Sequence, residues 1–385
     1  MIVEYNISRL YYLLDMYKMS VDELLALLNE GRQKPYVRED IEQEEIKVSL
    51  LKKIDVVFKK GINFYLDPRT PQKTTESSIF FRKEKFNSEL NLGSKKIVTH
   101  FEDFKNNFAA IAKLSDVKLA RLVPVFSITQ HPQHVADIVR TALYPDFKTE
   151  KRDFLKSFID QLGSANILVS EFVETWNKKD KANIDGFFLT PNVIVLKRQQ
   201  TALRREIFTL AHELGHYLLN EEEVESIDFA DMYGRSHNKI ENWCNDFAFY
   251  FLAGKYADSI NQLGVASASN DYHMEVIAGV SKKTHLSRLA LYTRLLLNGK
   301  ISYISYQNIK KDFEEQFHVR EAEQRKQREL NKLAGIKSNA RAAQPLKSPL
   351  LISTLQTAFY EGVITEYDFC KTLNIQPDKL PKYLQ

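Results

Sequence analysis

The chain has 385 residues, with 54 Lys+Arg against 50 Asp+Glu and a formal net charge of +4. Its 13 glycines and 11 prolines fall well below ordinary usage, which excludes collagen-like, propeller and Gly/Ser-linker architectures. With 44% hydrophobic and 27% charged residues it reads as globular, mostly helical, and long enough for two or three domains. The charge is uneven. Arg320 to Lys347 holds eight Lys/Arg and three Glu, a net of +5, and the rest of the chain sums to −1. That stretch is a candidate contact for DNA or another acidic partner, with a solvated linker as the plainer reading. The two cysteines, Cys244 and Cys370, form no CxxC pair. No basic-then-apolar leader and no run of membrane-spanning length is visible, so a cytoplasmic protein with reduced thiols and no membrane partner is expected.

Residues 1–70 read as a helical module. Ser20 to Glu23 forms a capping box, Val21, Leu24, Leu25 and Leu28 repeat at helical spacing, and Gly31 is a stop. A second helix is expected over Glu39 to Lys60, giving a degenerate helix–turn–helix. Glu39, Asp40, Glu42, Glu44 and Glu45 crowd its start and would repel phosphates, which favours protein docking over DNA binding. Asp67-Pro68 marks a boundary, and 71–130 is a connecting region with a helix around Phe101 to Ala112. His131-Pro132 opens the next helix, through Leu143. Phe154 to Leu162 reads as a helix. Asn166 to Ser170, Gly186 to Thr190 and Val193 to Leu196 read as strands of a small antiparallel sheet.

The helix beginning near Thr201 contains Ala211-His212-Glu213-Leu214-Gly215-His216, an HExxH motif. Four residues apart on a helix, His212 and His216 project from one face and can reach one metal ion. Glu213 borders that face and suits a general base acting on metal-bound water. Chance produces HExxH in many chains, but Ile207, Phe208, Leu210, Ala211, Leu214, Leu218 and Leu219 make this helix apolar on most sides. Buried unpaired imidazoles are costly, and a metal supplies their partner. A catalytic zinc takes a third protein ligand. Glu241, on the following helix, is the leading candidate, with His237 and Asp246 as competitors. Tyr233 and His237 are candidate oxyanion donors. The strand residues Val193, Ile194 and Val195 are a candidate edge for an extended substrate, with a buried scaffold strand as the equal alternative. Glu221, Glu222, Glu223, Glu225, Asp228 and Asp231 form an acidic loop that would draw a basic substrate or simply be solvated.

The run Ile184-Asp185-Gly186-Phe187, then Phe208 to His216, then Glu241-x-x-Cys244-Asn245-x-Phe247-Ala248 resembles the ImmA/IrrE family of metallo-endopeptidases. Cys244 stands where that family usually has alanine, and Ala253-Gly254 stands near its usual Met-Pro. The resemblance spans roughly 131–300, with Ser287 to Leu295 similar to the family's closing helix. It implies an α+β, mainly helical fold with a zincin-like core, its sheet packed on the HExxH helix and flanked by helical N- and C-terminal modules. It also implies one zinc ion per chain and a narrow-specificity protease that cuts a helix–turn–helix repressor to relieve repression of a mobile element or stress response. The rival expectation is a regulatory DNA- or protein-binding module with a structural or vestigial metal site.

Residues 301–385 lie beyond that resemblance. Phe313 to Leu333 reads as a charged helix and Gly335 to Ser348 as a basic, flexible linker. Ser353 to Tyr360 and a helix capped by Thr365 to Asp368 form a small unit around Leu355, Phe359, Ile364, Leu373 and Leu380.

Overall fold

A computed structural model of the chain describes residues 1–71, 90–173, 181–198, 202–222, 239–334 and 344–384. The chain divides into two compact units. One comprises Met1–Phe108 with Glu174–Ile184 and Glu223–Glu225; the other comprises Ala109–Val173, Asp185–Glu222 and Ser226–Gln385.

In the first unit, α1 (Ile7–Met16) starts at Asn6, whose side chain accepts from Ser8 N–H, and α2 (Val21–Asn29) starts at the Ser20/Glu23 capping box. Both bury leucines on one face, including Leu10, Leu13 and Leu24. The helix expected over Glu39 to Lys60 is much shorter. Arg38–Asp40 forms a single 3-10 turn, Glu45–Lys47 forms strand β2, and α3 covers only Val48–Phe58. Clustered carboxylates repel along a helix, while Glu45-Ile46-Lys47 alternates exposed–buried–exposed, the period of a strand. β2 pairs antiparallel with β1 (Ile2–Glu4), a sheet the helical reading of this region did not contain. A short α4 (Ile62–Leu66) follows, and the Arg9–Asp67 ion pair at 2.9 Å ties the end of this region to α1. α5 begins at Leu92 and runs to Leu114, longer than the segment expected around Phe101 to Ala112. Asn183 belongs to this unit: its Oδ1 accepts from Ser94 Oγ at 2.6 Å and from Asn91 N–H at 3.2 Å.

The second unit carries α6 (Pro132–Leu143), α7 (Lys151–Ser164), a three-stranded sheet, α8 (Leu203–Leu219) and α9 (Lys239–Ala253). Proline at the first turn of α6 and the His131 ring accepting from Gln133 N–H explain its start. The sheet order is β3 (Leu168–Phe172), β5 (Val193–Lys197), β4 (Gly186–Leu189). β4 is antiparallel to β5, but β3 is parallel to it, with Leu168 opposite Val193. The expected all-antiparallel sheet is therefore corrected to a mixed one. The long 173–185 connection allows β3 and β4 to flank β5 as the two outer strands, so that the β4–β5 hairpin lies with its second strand inside. Val193 to Leu196 is apolar at every position and wholly buried, the signature of a strand covered on both faces.

α8 is buried on all sides from Glu206 to Leu219. It packs between the β4–β5 hairpin and α9, and α9 packs in turn on α6. Phe158, Ile194, Leu196, Leu210, Leu214, Phe247, Phe251 and Leu291 share this core. After α9 come short helices, then α10 (Met274–Thr284), α11 (Arg288–Leu297, capped by Ser287) and α12, a 31-residue helix over Tyr303–Leu333 that begins ten residues before the expected Phe313.

The segment read as a linker up to Ser348 is fixed from residue 344 onward; 335–343 lie outside the described residues. Lys347 bridges Ser170 on β3, Leu346 N–H donates to Glu171 Oε2 at 2.6 Å, and Arg152 donates to the Gln344 carbonyl. Beneath this strap Arg198 Nη1 lies 3.7 Å from Glu171 and 3.4 Å from Glu206, all three side chains buried. α13 (Pro349–Tyr360) then packs on α7, where a side chain at Gly163 would touch Ser348, Pro349 and Leu350 at 3.5 Å. Leu355, Leu373 and Leu380 are buried as expected, while Phe359 and Ile364 are half-buried.

Candidate metal centre

α8 and α9 cross closely because Gly215 meets Cys244: a Cβ on Gly215 would lie 3.2 Å from the Cys244 Cα, Cβ and Sγ. This approach sets Glu241, in the first turn of α9, opposite the His212/His216 face of α8. The ligand atoms of His212, His216 and Glu241 all lie within 4.8 Å of one another. Glu241 Oε2 is 3.1 Å from His212 Nε2, Glu241 Oε1 is 3.1 Å from His216 Nε2, and the two Nε2 atoms are themselves 3.1 Å apart. Zinc with nitrogen and oxygen ligands at ~2.0–2.1 Å in tetrahedral array has ligand–ligand edges of roughly 3.3 Å. The donor set, its burial and its spacing thus fit that ion.

His212 Nδ1 lies 2.9 Å from Asn245 Oδ1. The amide oxygen can only accept, so Nδ1 carries a proton, and Nε2 is the ring nitrogen that faces Glu241 and is left to bind a metal once its own proton is lost. Asn245 was not singled out as a site residue from sequence. The signal was available: it stands four residues after Glu241, hence on the same face of α9.

Glu213 is buried, and its Oε2 has no hydrogen-bond partner among the described residues. Burial, with the Glu241 and Asp185 charges adding and His212 opposing, pushes its carboxyl up to about 8. At His212 burial favours the neutral ring, but the Glu241 charge and hydrogen bond prevail and raise it to about 9. At Glu241 burial is likewise overcome, and the two histidines hold its carboxyl far below the usual range. An oxygen atom without a partner, on a group that exchanges its proton near neutrality and sits beside three converging ligand atoms, is arranged for proton transfer.

The first strand of the hairpin supports this arrangement. A Cβ on Gly186 would meet Thr209 Cγ2 at 2.6 Å and Glu213 Cγ at 3.3 Å, so only glycine lets β4 lie this close to α8. Asp185, just before it, pairs with Arg205.

The other sequence candidates fare differently. Asp246 is paired with Arg294 and takes no place in the His212–His216–Glu241 group. Tyr233 and His237 lie outside the described residues, as do Glu223, Glu225, Asp228 and Asp231. Glu222 is not a solvated loop acid: it is buried and accepts from Thr190 N–H and Oγ at 2.8 and 2.9 Å. Val193, Ile194 and Val195 sit in the central strand, hydrogen-bonded to a neighbour on each side, so that strand has no open edge for a substrate. No helix among the described residues is long and apolar enough to cross a membrane.

Residues 168–253 match the family model Peptidase_M78, described as an IrrE N-terminal-like domain. The matched stretch begins with β3 and ends with α9, so it takes in the whole three-stranded sheet and both helices of the metal centre. No curated protein matches the chain. The resemblance to ImmA/IrrE metallopeptidases read from residues 184–248 is borne out by this match.

Proposed function

We propose that the chain is a zinc-dependent endopeptidase of narrow specificity, with a zincin-like core, whose substrate is a helix–turn–helix repressor or similar regulator. The observation that carries the catalytic part is the triangle of His212, His216 and Glu241 ligand atoms with the unpartnered Glu213 oxygen beside it. The substrate class rests on the resemblance to ImmA/IrrE peptidases alone.

His212 Nε2, His216 Nε2 and one or both Glu241 oxygens would hold the ion. When bound, zinc supplies Lewis acidity toward the scissile carbonyl and lowers the pKa of a coordinated water. Glu213 accepts the proton of the attacking water at its carboxylate and returns it to the departing amine nitrogen as the C–N bond breaks. Asn245 fixes the His212 tautomer. Tyr233 and His237 remain the proposed donors to the developing oxyanion.

The test is cleavage of a small helix–turn–helix protein encoded beside this chain. Wild type is expected to cut it, and Glu213→Gln to retain zinc while losing about 10²–10⁴-fold in rate. Cleavage by Glu213→Gln at the wild-type rate overturns the mechanism. A protein that binds zinc and the regulator without cutting it favours the binding-module reading.

A further inference from the structure

Phe313 of α12 is half-buried against Tyr292 of α11, and the Arg288 guanidinium lies over its ring, 5.0 Å from the ring centre. Between the start of α11 and α12 lies an open cleft of about 230 Å³. Arg288 and Leu289 line it from α11, and Phe313, Gln316, Phe317 and Arg320 line it from one face of α12.

The two arginines of this cleft have no acid. The ion pairs along α12 are Lys311–Glu315 and Glu321–Arg325, and neither Arg288 nor Arg320 joins an ion pair among the described residues. The charges of α12 are segregated: residues 312–323 carry five acids and one arginine, and 324–333 carry four Lys/Arg and one glutamate. In the acidic half the single arginine, Arg320, lines the cleft, and none of the five acids does. Gln316 and Gln324 stand four residues to either side of Arg320, so the helix gives it no acid at that spacing.

Two unpaired guanidiniums that share a cleft call for an anion, and a carboxylate matches their planar fork. Arg288 is already held on the Phe313 ring, so little freedom is lost when it binds. Phe317, 51% exposed, and the half-buried Leu289 add an apolar rim. Arginine beside aromatic rings is the composition of protein–protein hot spots. Pockets that take whole small molecules run to about 300–1,000 Å³ and enclose most of the ligand. This cleft is smaller and open, the size for one or two side chains of a polypeptide.

We infer that the cleft between α11 and α12 is a docking site for an acidic segment of a partner protein. A carboxylate of that segment meets Arg288 and Arg320, and an apolar neighbour lies on Phe317 and Leu289. The cleft shares no residue with the His212–His216–Glu241 group, so the inference is independent of the proposed peptidase activity.

The probe is a short fluorescent peptide of alternating glutamate and leucine, titrated with the full-length protein and followed by anisotropy. It is expected to bind, and its lysine–leucine counterpart is not. Arg320→Ala, at an exposed position, should weaken binding about tenfold, and the double variant with Arg288→Ala about a hundredfold. Arg328→Ala removes the same charge from an exposed position of α12 outside the cleft and should change affinity by no more than about twofold. Arg288→Glu combined with Arg320→Glu should transfer the preference to the lysine–leucine peptide. No binding by wild type, equal losses in Arg320→Ala and Arg328→Ala, or displacement by inorganic phosphate at an ionic strength where chloride leaves the peptide bound would each overturn the proposal.

Discussion

α8 and α12 both carry several ionisable side chains, and they put them to opposite use. In α8, Glu206, His212, Glu213 and His216 are all buried; in α12, the acids and bases from Glu314 onward are almost all exposed. Buried groups interact strongly and specifically, so one neighbour decides the protonation of another. Exposed ones act weakly as individuals and carry information only as a pattern along the helix. Hence α8 is understood residue by residue, and α12 through its segregated halves.

The largest expected consequence on the buried side is Glu241→Ala. With two imidazoles left, the site falls below the three protein ligands a catalytic zinc requires. Metal analysis of the purified variant should show near-complete loss of zinc, and retention at the wild-type level would separate Glu241 from the metal site. Asn245→Ala leaves all three ligands in place but frees the His212 tautomer. Zinc affinity measured against a chelator should drop about 10–100-fold. The same titration repeated from pH 6 to 9 tests the protonation of His212. The metal takes the neutral ring, and the metal-free pKa is raised to about 9, so protons compete throughout this range. Affinity should climb by up to about tenfold per pH unit and level off above 9. A flat profile would mean that Glu241 does not hold His212 protonated. The smallest effect belongs to the exposed helix. Glu321→Gln removes the ion pair with Arg325 and should cost no more than about 0.5 kcal/mol in thermal unfolding.

The chemistry was legible in the sequence because it follows a local rule. Spacing on one helix brings His212 and His216 to one face, and an apolar background argues that the face is buried. Glu241 needed a second helix to come alongside, and only the fold shows that Gly215 makes room for it. The helix expected over Glu39 to Lys60 was carried too far toward its start, where Glu45-Ile46-Lys47, one apolar residue between two charged ones, has the period of a strand. The run Val193 to Leu196 was likewise informative: four consecutive apolar residues announce a strand covered on both faces, which is incompatible with an open substrate edge. Parallel pairing of β3 with β5 was not legible, since strand order depends on contacts distant in sequence. Nor was the fixing of residues 344–348, because a Gln-Pro-Leu-Lys-Ser stretch has no periodicity and its partners, Arg152, Ser170 and Glu171, lie far upstream.

That strap has a consequence for how the chain is made. During synthesis β3, the hairpin, α8 and Glu241 emerge first, and Leu346 follows Glu241 by roughly a hundred residues, or about 5–20 seconds of elongation. In that interval the outer side of β3 lacks the Ser170–Lys347 bridge, and Glu171 Oε2 lacks the Leu346 N–H. An unpaired strand edge beside half-compensated buried charges is the kind of surface that recruits other nascent chains. The nascent protein is most exposed to mispairing after His212, His216 and Glu241 are made and before residues 344–348 arrive.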